Sequence, residues 1–359
     1  MTRILSHFLL AVLLVTGCRN AEVPASLPRG EVSPEWAAAA DSFYADAVSV
    51  AAPDKAQLYS IMVVDHGEVV LERWYDGHTA GSRENVYSEC KTVLAIAAGM
   101  AVEEGLFSVE DRVVDFFPGQ LPENVTDTLS SMTIRHLLTM TCGLEESPKL
   151  LTVFSKSGDK DFDWIREFFA SSPTSMPGTQ FYYNLFSSYI MAAIIEKTSG
   201  MGVMDYIRPR LLEPLHITDA EWEVSPAGIC VGGWGMLLCT EDVAKIGLLL
   251  LQRGKWNGVQ LVPAEWVDTM TSKLVGSGPF NAFLKLRNPS LEADPENEHS
   301  RGYGYYVWRG QYGTYRMEGL RGKLTIVNQA KETVLVLIGD TNMEQGYIDL
   351  IWKHFAHLM

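Results

Sequence analysis

Residues 85–100 read Asn85-Val-Tyr-Ser-Glu-Cys-Lys-Thr-Val-Leu-Ala-Ile-Ala-Ala-Gly-Met100, with Ser88 at the start of a long apolar helix. Lys91 follows three residues later, so both side chains lie on one helical face. A serine hydroxyl becomes a useful nucleophile when a base takes its proton, and a partly buried lysine amine can be that base. The spacing therefore indicates a Ser–Lys catalytic dyad.

The alternative interpretation is that Ser88 only caps the helix, because serine is a preferred N-cap residue. A capping box has Glu or Gln three residues after the cap, whereas this sequence has Lys91 there. A lysine in the first turn also faces the unfavourable end of the helix dipole. The motif by itself is short, so its interpretation depends on the other segments of the chain.

Further segments follow in a consistent order along the chain. They are Gly99-Met-Ala-Val-Glu-Glu-Gly-Leu-Phe-Ser-Val-Glu-Asp-Arg-Val-Val-Asp-Phe-Phe-Pro118, Thr133-Ile-Arg-His-Leu-Leu-Thr-Met-Thr-Cys-Gly-Leu144, Phe181-Tyr-Tyr-Asn184, Gly232-Gly-Trp-Gly235 and Gly302-Tyr-Gly-Tyr-Tyr-Val-Trp308. With residues 85–91 they resemble the serine hydrolases related to class C β-lactamases and penicillin-binding proteins. The resemblance covers about residues 36–358 and implies hydrolysis of an ester or amide through an acyl-enzyme.

The resemblance also implies roles for individual residues. Ser88 is the acylated nucleophile, and Lys91 is its activating partner. Tyr182 and Asn184 occupy the two positions of a Tyr-x-Asn motif, so Tyr182 is the expected second proton-transfer group and Asn184 is expected to bind substrate. From the residues alone, a packed aromatic residue is the favoured interpretation of Tyr182, and the alternative for Asn184 is a turn residue.

The family's third motif is the matching stretch Met317-Glu318-Gly319. Gly319 would let a substrate backbone approach the strand closely, and the amide of Leu320 would complete an oxyanion hole with the amide of Ser88. The family usually has Lys or His where this chain has Met317, which favours an esterase-like or peptide-derived substrate over a β-lactam. Three nearby cations are candidate replacements: Arg316, Arg321 and Lys323. Strand alternation would put Arg316 on the face opposite Met317.

Strand patterns lie at both ends of the chain and helical patterns lie between them. Tyr59–Val64, Val69–Tyr75, Tyr303–Trp308, Thr314–Gly319, Lys323–Asn328 and Thr333–Ile338 are predicted strands. This order predicts one antiparallel sheet built from both termini, with a helical region inserted. With the resemblance, it implies an α/β (α+β) fold of the β-lactamase/transpeptidase-like type. The sheet region is about 34–87 and 300–359, and the inserted helical region is about 88–299. Residues 275–301 are predicted to form a long surface loop.

The first residues resemble an export signal. Arg3 precedes the apolar stretch 4–15, which is too short to span a membrane, and Val15-Thr-Gly-Cys18 resembles a bacterial lipobox. We therefore expect a lipoprotein signal peptide at 1–17, lipidation of Cys18, an exposed tether at 18–33 and a hydrolase domain at 34–359. The protein would then be held at the extracytoplasmic side of the cell envelope. The alternative is a plain signal peptide with a chance cysteine.

The composition and the motifs limit the kinds of partner and cofactor that the chain is expected to bind. The chain has 359 residues and a net charge of −15, which argues against binding nucleic acid through a general basic field. Walker, H-E-x-x-H and dinucleotide G-x-G-x-x-G motifs are missing, so we expect no cofactor and no metal. The expected partner is a small-molecule or peptide-derived ester or amide, with membrane contact through the lipid only. The other cysteines are expected to be buried free thiols: Cys90, Cys142, Cys230 and Cys239.

Two alternatives to an enzyme remain open at the level of sequence. The same fold could be a binding or sensing module for an acyl ligand that has lost turnover, which Met317 and Glu318 would support. A structural envelope lipoprotein would have neither a cleft nor a reactive serine. Acylation of Ser88 by an activated ester or a fluorophosphonate would distinguish an enzyme from both alternatives.

Overall fold

A computed structural model describes residues 25–50, 57–144, 162–171, 173–278, 297–341 and 344–359 of the protein. The strands in this part of the chain are β1 (Gln57–Asp65), β2 (Glu68–Trp74), β3 (Arg83–Asn85), β4 (Glu221–Trp222), β5 (Met236–Cys239), β6 (Lys255–Trp256), β7 (Val259–Gln260), β8 (Trp308–Arg309), β9 (Tyr315–Gly319), β10 (Lys323–Asn328) and β11 (Thr333–Asp340). The largest sheet has the order β2-β1-β11-β10-β9-β8, and all of its neighbouring strands are antiparallel. Smaller sheets have the orders β3-β5-β4 and β6-β7.

The large sheet joins the two ends of the chain, as the sequence predicted. Strand β1 pairs with β2 through a tight turn in which His66 and Gly67 both have positive φ, the geometry that favours a two-residue hairpin. On its other side β1 pairs with β11, with Val63 opposite Leu335. Because helices cover both faces, β10 and β11 are almost fully buried. Strand β11 is apolar along most of its length, and β10 has three apolar residues among its six.

The helices form layers on the two faces of this sheet. Those described are α1 (Pro34–Val50), α2 (Cys90–Glu103), α3 (Asp127–Ser130), α4 (Ile134–Leu138), α5 (Trp164–Ala170), α6 (Leu185–Ser199), α7 (Val203–Ile207), α8 (Thr240–Leu251), α9 (Ala264–Thr271) and α10 (Glu344–Phe355). On one face α1 packs with α10, where the rings of Phe43 and Tyr347 are 5.2 Å apart. On the other face α8 packs on the sheet, and the helical region containing α2 and α6 joins the same core. No helix in the described ranges is both long and apolar enough to cross a membrane.

Helix α2 is the centre of the helical region, and its residues 90–101 are all buried. Gly99 allows α9 to pack closely, because a Cβ there would lie 2.4 Å from the indole of Trp266. The Trp266 indole N–H donates a 3.0 Å hydrogen bond to the carbonyl of Ala95. The helix that begins just after Ser88 is therefore fixed within the core. The thiols of Cys90, Cys142 and Cys230 are buried and free, and that of Cys239 is free and half-buried.

The predicted strand Tyr303–Trp308 is largely wrong. Only Trp308 belongs to a strand, and Tyr303 forms isolated bridges to Val275 and Trp308. Gly302 and Tyr306 have φ of +128° and +56°, which interrupts an extended ladder. The predicted surface loop is corrected at its ends, since Ser277 and Glu298 are fully buried. Its residues 279–296 lie outside the described residues.

The predicted tether is also corrected over residues 25–33, which are docked on the sheet. Leu27 is buried, Arg29 forms a parallel bridge with Val69, and the amide of Gly30 donates a 3.0 Å hydrogen bond to the carbonyl of Val69. The Arg29 guanidinium pairs with Glu72 and Glu241 at 2.9 and 2.7 Å. The predicted signal peptide, Cys18 and the rest of the tether fall outside the described residues.

Candidate active site

Ser88 lies in a tight 3-10 turn, Tyr87–Glu89, directly before α2. Tyr87 has φ of +47°, a left-handed conformation that is costly for a bulky residue and is often found at functional sites. The Asn85 side chain stabilises this turn, because its Oδ1 accepts a 2.8 Å hydrogen bond from the amide of Tyr87. The chain thus holds Ser88 at the end of a buried helix on a locally strained backbone.

Ser88 and Lys91 are brought together as the spacing predicted. Lys91 Nζ donates a 2.9 Å hydrogen bond to Ser88 Oγ and a 2.7 Å hydrogen bond to the carbonyl of Gly233. Lys91 is only 1% exposed, whereas Ser88 is half-buried. The Ser88 side chain makes no helix-capping hydrogen bond, so its position is explained by the lysine and not by a capping role.

The Gly232–Gly233 segment forms the wall behind Lys91. Gly232 has φ of +68°, and a Cβ on it would lie 2.6 Å from the carbonyl oxygen of Ser188. A Cβ on Gly233 would lie 2.5 Å from Ser188 Oγ and 3.3 Å from Lys91 Nζ. Gly232 therefore requires glycine for the loop to approach α6, and a side chain at Gly233 would crowd Ser188 and Lys91.

The expected role of Tyr182 has to be corrected. Residues 181–184 are not helical, and Phe181 and Tyr183 both pack on Trp308 while Tyr182 is partly exposed. The Tyr182 hydroxyl donates to Gln180 Oε1, away from the lysine. Tyr183 is buried, and its ring centroid is 5.1 Å from Lys91 Nζ. The structure therefore places Tyr183, and not Tyr182, beside the Ser–Lys pair.

Asn184 is likewise corrected from a substrate-binding residue to a helix cap. Its Oδ1 accepts hydrogen bonds from the amides of Phe186 and Ser187 at 2.7 and 3.1 Å, which caps α6. Its Nδ2 donates a 2.9 Å hydrogen bond to the carbonyl of Leu144. The side chain is fully buried, and these backbone groups satisfy both ends of its amide.

Gly319 is the last residue of β9 and packs against the backbone that leads into the Tyr87–Glu89 turn. A Cβ on Gly319 would lie 2.1 Å from the carbonyl oxygen of Val86, two residues before Ser88. The close approach expected for a substrate backbone is thus already made by the protein's own chain. Leu320 follows directly at the turn after β9 and is partly exposed.

A buried ionic cluster surrounds the third motif, and we name Glu298, His299, Arg316 and Glu318 the β9 cluster. Arg316 donates to Glu298 and Glu318 at 3.1 and 2.7 Å. His299 Nε2 contacts Glu318 Oε1 at 2.5 Å. The Arg316 side chain is 1% exposed, and that of Glu318 is 12% exposed. Burial would raise the pKa of Glu318, but the charges of His299 and Arg316 outweigh burial and lower it to about 2.

The candidate replacements for the missing basic residue are therefore all engaged elsewhere. Arg316 belongs to the β9 cluster, and Arg321 pairs with Asp340 at 2.5 Å. Lys323 Nζ donates to the carbonyl of Gly339 and lies 5.4 Å from the ring centroid of Tyr87. Met317 itself is fully buried in the core.

Sequence reasoning missed Tyr183 and His299. A helix cap at Asn184 fixes the direction of the preceding residues, so Tyr183 could in principle have been predicted. However, Phe181-Tyr-Tyr183 fits an apolar environment whichever of the two tyrosines faces inward. His299 was included in a predicted surface loop, and nothing in its neighbours indicated burial. Its ring lies 4.8 Å from that of Trp308, which stacks on Tyr183 at 5.6 Å. Trp308 thus lies between the β9 cluster and Tyr183 and contacts both.

Comparison with known proteins agrees with this fold. A family model described as Beta-lactamase matches residues 50–346. The 6-aminohexanoate-dimer hydrolase of Paenarthrobacter ureafaciens is 21% identical over 244 residues, which are 63% of this chain and 61% of that protein. The chain thus spans about three fifths of the length of this curated relative.

Solved structures show the same fold. The octameric penicillin-binding protein homologue from Pyrococcus abyssi has a TM-score of 0.69 at 19% identity, covering 89% of this chain and 77% of its own. EstCE1, a hydrolase with promiscuous acyltransferase activity, has a TM-score of 0.69 at 17% identity, covering 89% of this chain and 98% of its own. The resemblance drawn from the motifs and the predicted fold class are confirmed. Because the family model covers more than half of its length, the chain belongs to the Beta-lactamase family of serine hydrolases.

Proposed function

We propose that this protein is an exported serine hydrolase that cleaves an ester or amide through a covalent intermediate on Ser88. The observation that carries the proposal is the 2.9 Å contact between Ser88 Oγ and the buried Lys91 Nζ, with Tyr183 directly beside the lysine. A nucleophile, a base within hydrogen-bond reach and a second proton-transfer group are the parts that acyl transfer needs.

In the proposed mechanism, Ser88 Oγ attacks the substrate carbonyl while its proton passes to the neutral amine of Lys91. The tetrahedral oxyanion is stabilised by the backbone amides of Ser88 and Leu320. As the intermediate collapses, Tyr183 conducts the proton from Lys91 to the leaving group, which departs as an alcohol or amine. Water then attacks the acyl-serine, its proton returns by the same groups, and a carboxylic acid is released.

The proposed substrate is a small ester or amide in preference to a β-lactam. Met317 offers no charge at the third motif, and Arg316 is committed to buried carboxylates. An anionic substrate group would therefore have to compete with existing ion pairs for a cation at this strand. The 6-aminohexanoate-dimer hydrolase and EstCE1 are named for hydrolysis, which supports this class of reaction.

The test is intact-mass analysis of the protein after incubation with a p-nitrophenyl ester and, separately, with a penicillin. A fluorophosphonate provides a general probe of serine reactivity. We expect an adduct or turnover with the ester that is lost in Ser88→Ala, and weaker reaction with the penicillin. A folded wild-type protein that reacts with none of the three reagents would favour the binding-module hypothesis instead.

We also propose that the protein is held at the cell envelope by a lipid on Cys18. The support is the lipobox-like segment Val15-Thr-Gly-Cys18 after a short apolar stretch. Cys18→Ala should release the protein from the membrane fraction, while Cys239→Ala, a matched change at a half-buried free thiol, should not. Membrane retention of Cys18→Ala would refute lipidation at this residue.

A further inference from the structure

Glu89 follows Ser88 directly and is a buried carboxyl group that the mechanism above does not use. Its side chain is 2% exposed and is directed toward β10. Oε1 accepts a 2.8 Å hydrogen bond from Oγ1 of Thr325, a fully buried residue of β10. Within the described residues, Oε2 has no hydrogen-bond partner. The carboxyl group therefore has one oxygen that is hydrogen-bonded to Thr325 and one oxygen without a hydrogen-bond partner in the described residues.

The elements packed around Glu89 do not supply an ion pair for it. On β10, Lys323 donates its Nζ to the carbonyl of Gly339. On β9, Glu318 is held by the β9 cluster. Helix α8 presents Gly247 to Thr325, with no charge at that contact. On the helix that follows Glu89, Lys91 is directed to Ser88 and Gly233.

These surroundings determine the charge state of Glu89. Burial raises the pKa of its carboxyl group to about 8, although the Thr325 hydrogen bond and the charge of Lys323 lower it and Glu318 raises it. At neutral pH the group is therefore mostly the neutral acid. A bare oxygen on a buried neutral acid costs much less free energy than one on a buried carboxylate.

We infer that Glu89, as a neutral acid held by Thr325, is a positioning residue that fixes the turn carrying Ser88 against β10, and that its ionisation slows acylation of Ser88. A buried carboxylate with an unpartnered oxygen favours conformations in which that oxygen reaches water. Because the turn Tyr87–Glu89 has three residues, Glu89 cannot move outward without displacing Ser88. The inference rests on the proposed function, since it concerns acylation of the same serine.

The experiment measures the rate of fluorophosphonate labelling of the full chain between pH 6 and 10, with Ser88→Ala as the blank. In the wild type, ionisation of Glu89 should lower the rate about tenfold at one pH unit above its midpoint. Glu89→Gln keeps an oxygen for Thr325 but cannot ionise, so this decline should disappear. After normalisation at pH 6.5, Glu89→Gln should label about tenfold faster than the wild type at pH 9.

Thr325→Val provides a second and independent test, with Thr325→Ser as its matched control. The hydrogen bond from Thr325 favours the carboxylate, so removing the hydroxyl should move the decline to higher pH. Thr325→Ser should keep the wild-type midpoint. If Glu89→Gln does not fold, the Thr325 pair decides alone: an upward shift supports the inference, and an unchanged midpoint overturns it.

Other outcomes are equally decisive. An unchanged pH profile in folded Glu89→Gln would overturn the inference, as would a loss of rate that is equal at every pH, which is what a purely structural role predicts. If the folded wild type were labelled at no pH, the proposed function would fail, and the inference would fail with it. Labelling that depends on Ser88 but not on Glu89 ionisation would leave the proposed function standing and reject only the positioning role.

Discussion

Adjacent tyrosines have opposite positions relative to the nucleophile. Tyr183 packs with Trp308 and faces Lys91, while Tyr182 is partly exposed and contacts Gln180. In an extended segment successive side chains point to opposite sides, so only one of the two tyrosines can face the lysine. The direction of a single residue thus decides which phenol can exchange a proton with the Ser–Lys pair.

Tyr183→Phe should lower kcat for a p-nitrophenyl ester by about 10²–10⁴-fold, the usual contribution of a positioned proton-transfer group. Tyr182→Phe is the matched control and should change kcat by no more than about twofold, as expected for a surface substitution. Steady-state kinetics of both variants, with circular dichroism to verify folding, measures the difference. A large loss in Tyr182→Phe with little loss in Tyr183→Phe would reverse the assignment.

The charge of Glu318 should be visible in the pH dependence of stability. Its pKa is lowered to about 2 from an ordinary value of 4.5, so its contribution is complete above pH 4.5 and is lost as the pH falls through about 2. The shift corresponds to about 3 kcal/mol of unfolding free energy at neutral pH. Glu318→Gln should lose about that amount at pH 7, and the deficit should shrink between pH 4.5 and 2.

Urea denaturation of wild type and Glu318→Gln across this pH range measures the effect. Glu123→Gln is the control, since Glu123 is exposed and its removal should leave stability unchanged at every pH. A deficit for Glu318→Gln that stays constant down to the lowest pH would show that the stabilisation does not come from the ionised carboxylate.

Gly319, at the end of β9, packs directly against the backbone of Val86, which leads into the Tyr87–Glu89 turn. Gly319→Ala would place a Cβ 2.1 Å from the backbone oxygen of Val86, and a backbone atom cannot move aside as a flexible side chain can. The strand must then retreat from Ser88, which displaces the Leu320 amide. Loss of one oxyanion donor typically costs about 10²–10³-fold in rate, so labelling of Ser88 should fall by that order.

The control for this prediction is Gly119→Ala, because among the described residues, its two chain neighbours apart, none lies within 4 Å of a Cβ built at Gly119. It should leave both labelling and Tm close to those of the wild type. Gly319→Ala should also lower Tm, since forcing extra volume into a packed contact costs about 1–3 kcal/mol. Full labelling by Gly319→Ala would mean that β9 does not form part of the oxyanion site.

The strongly periodic elements could be predicted from the sequence, because burial on one face or both imposes a regular apolar pattern. The β1–β2 hairpin, β10, β11 and helix α2 agree with that pattern. The segment before β8 could not be predicted, because its alternating aromatics also fit a chain that Gly302 and Tyr306 bend out of a ladder. The burial of His299 and Glu298 depends on partners on β9, more than fifteen residues away, which no local pattern records.

At the scale of the molecule, the candidate site lies where the sheet meets the helical region. Ser88 and Lys91 come from the start of α2, Tyr183 from the segment before α6, Gly233 from the loop before β5, and Gly319 from the end of β9. None of these segments is near another in sequence. The site therefore forms only when the strands from both ends of the chain pair around β1 and β11, and Ser88 reactivity reports on the integrity of the whole fold.

Residues 25–33, which precede α1, should add to the stability of the folded domain. Leu27 is buried, its amide donates a 2.6 Å hydrogen bond to Glu241 Oε1, and Lys245 donates a 2.8 Å hydrogen bond to the carbonyl of Ala25. Burial of one leucine contributes about 2 kcal/mol, so a variant lacking residues 1–33 should melt about 3 °C below one lacking only residues 1–24. Differential scanning calorimetry of the two variants tests this. Equal melting temperatures would mean that residues 25–33 add no stability and belong to the exposed tether that the sequence predicted. The expected difference would leave only residues 19–24 between a lipid on Cys18 and the folded domain.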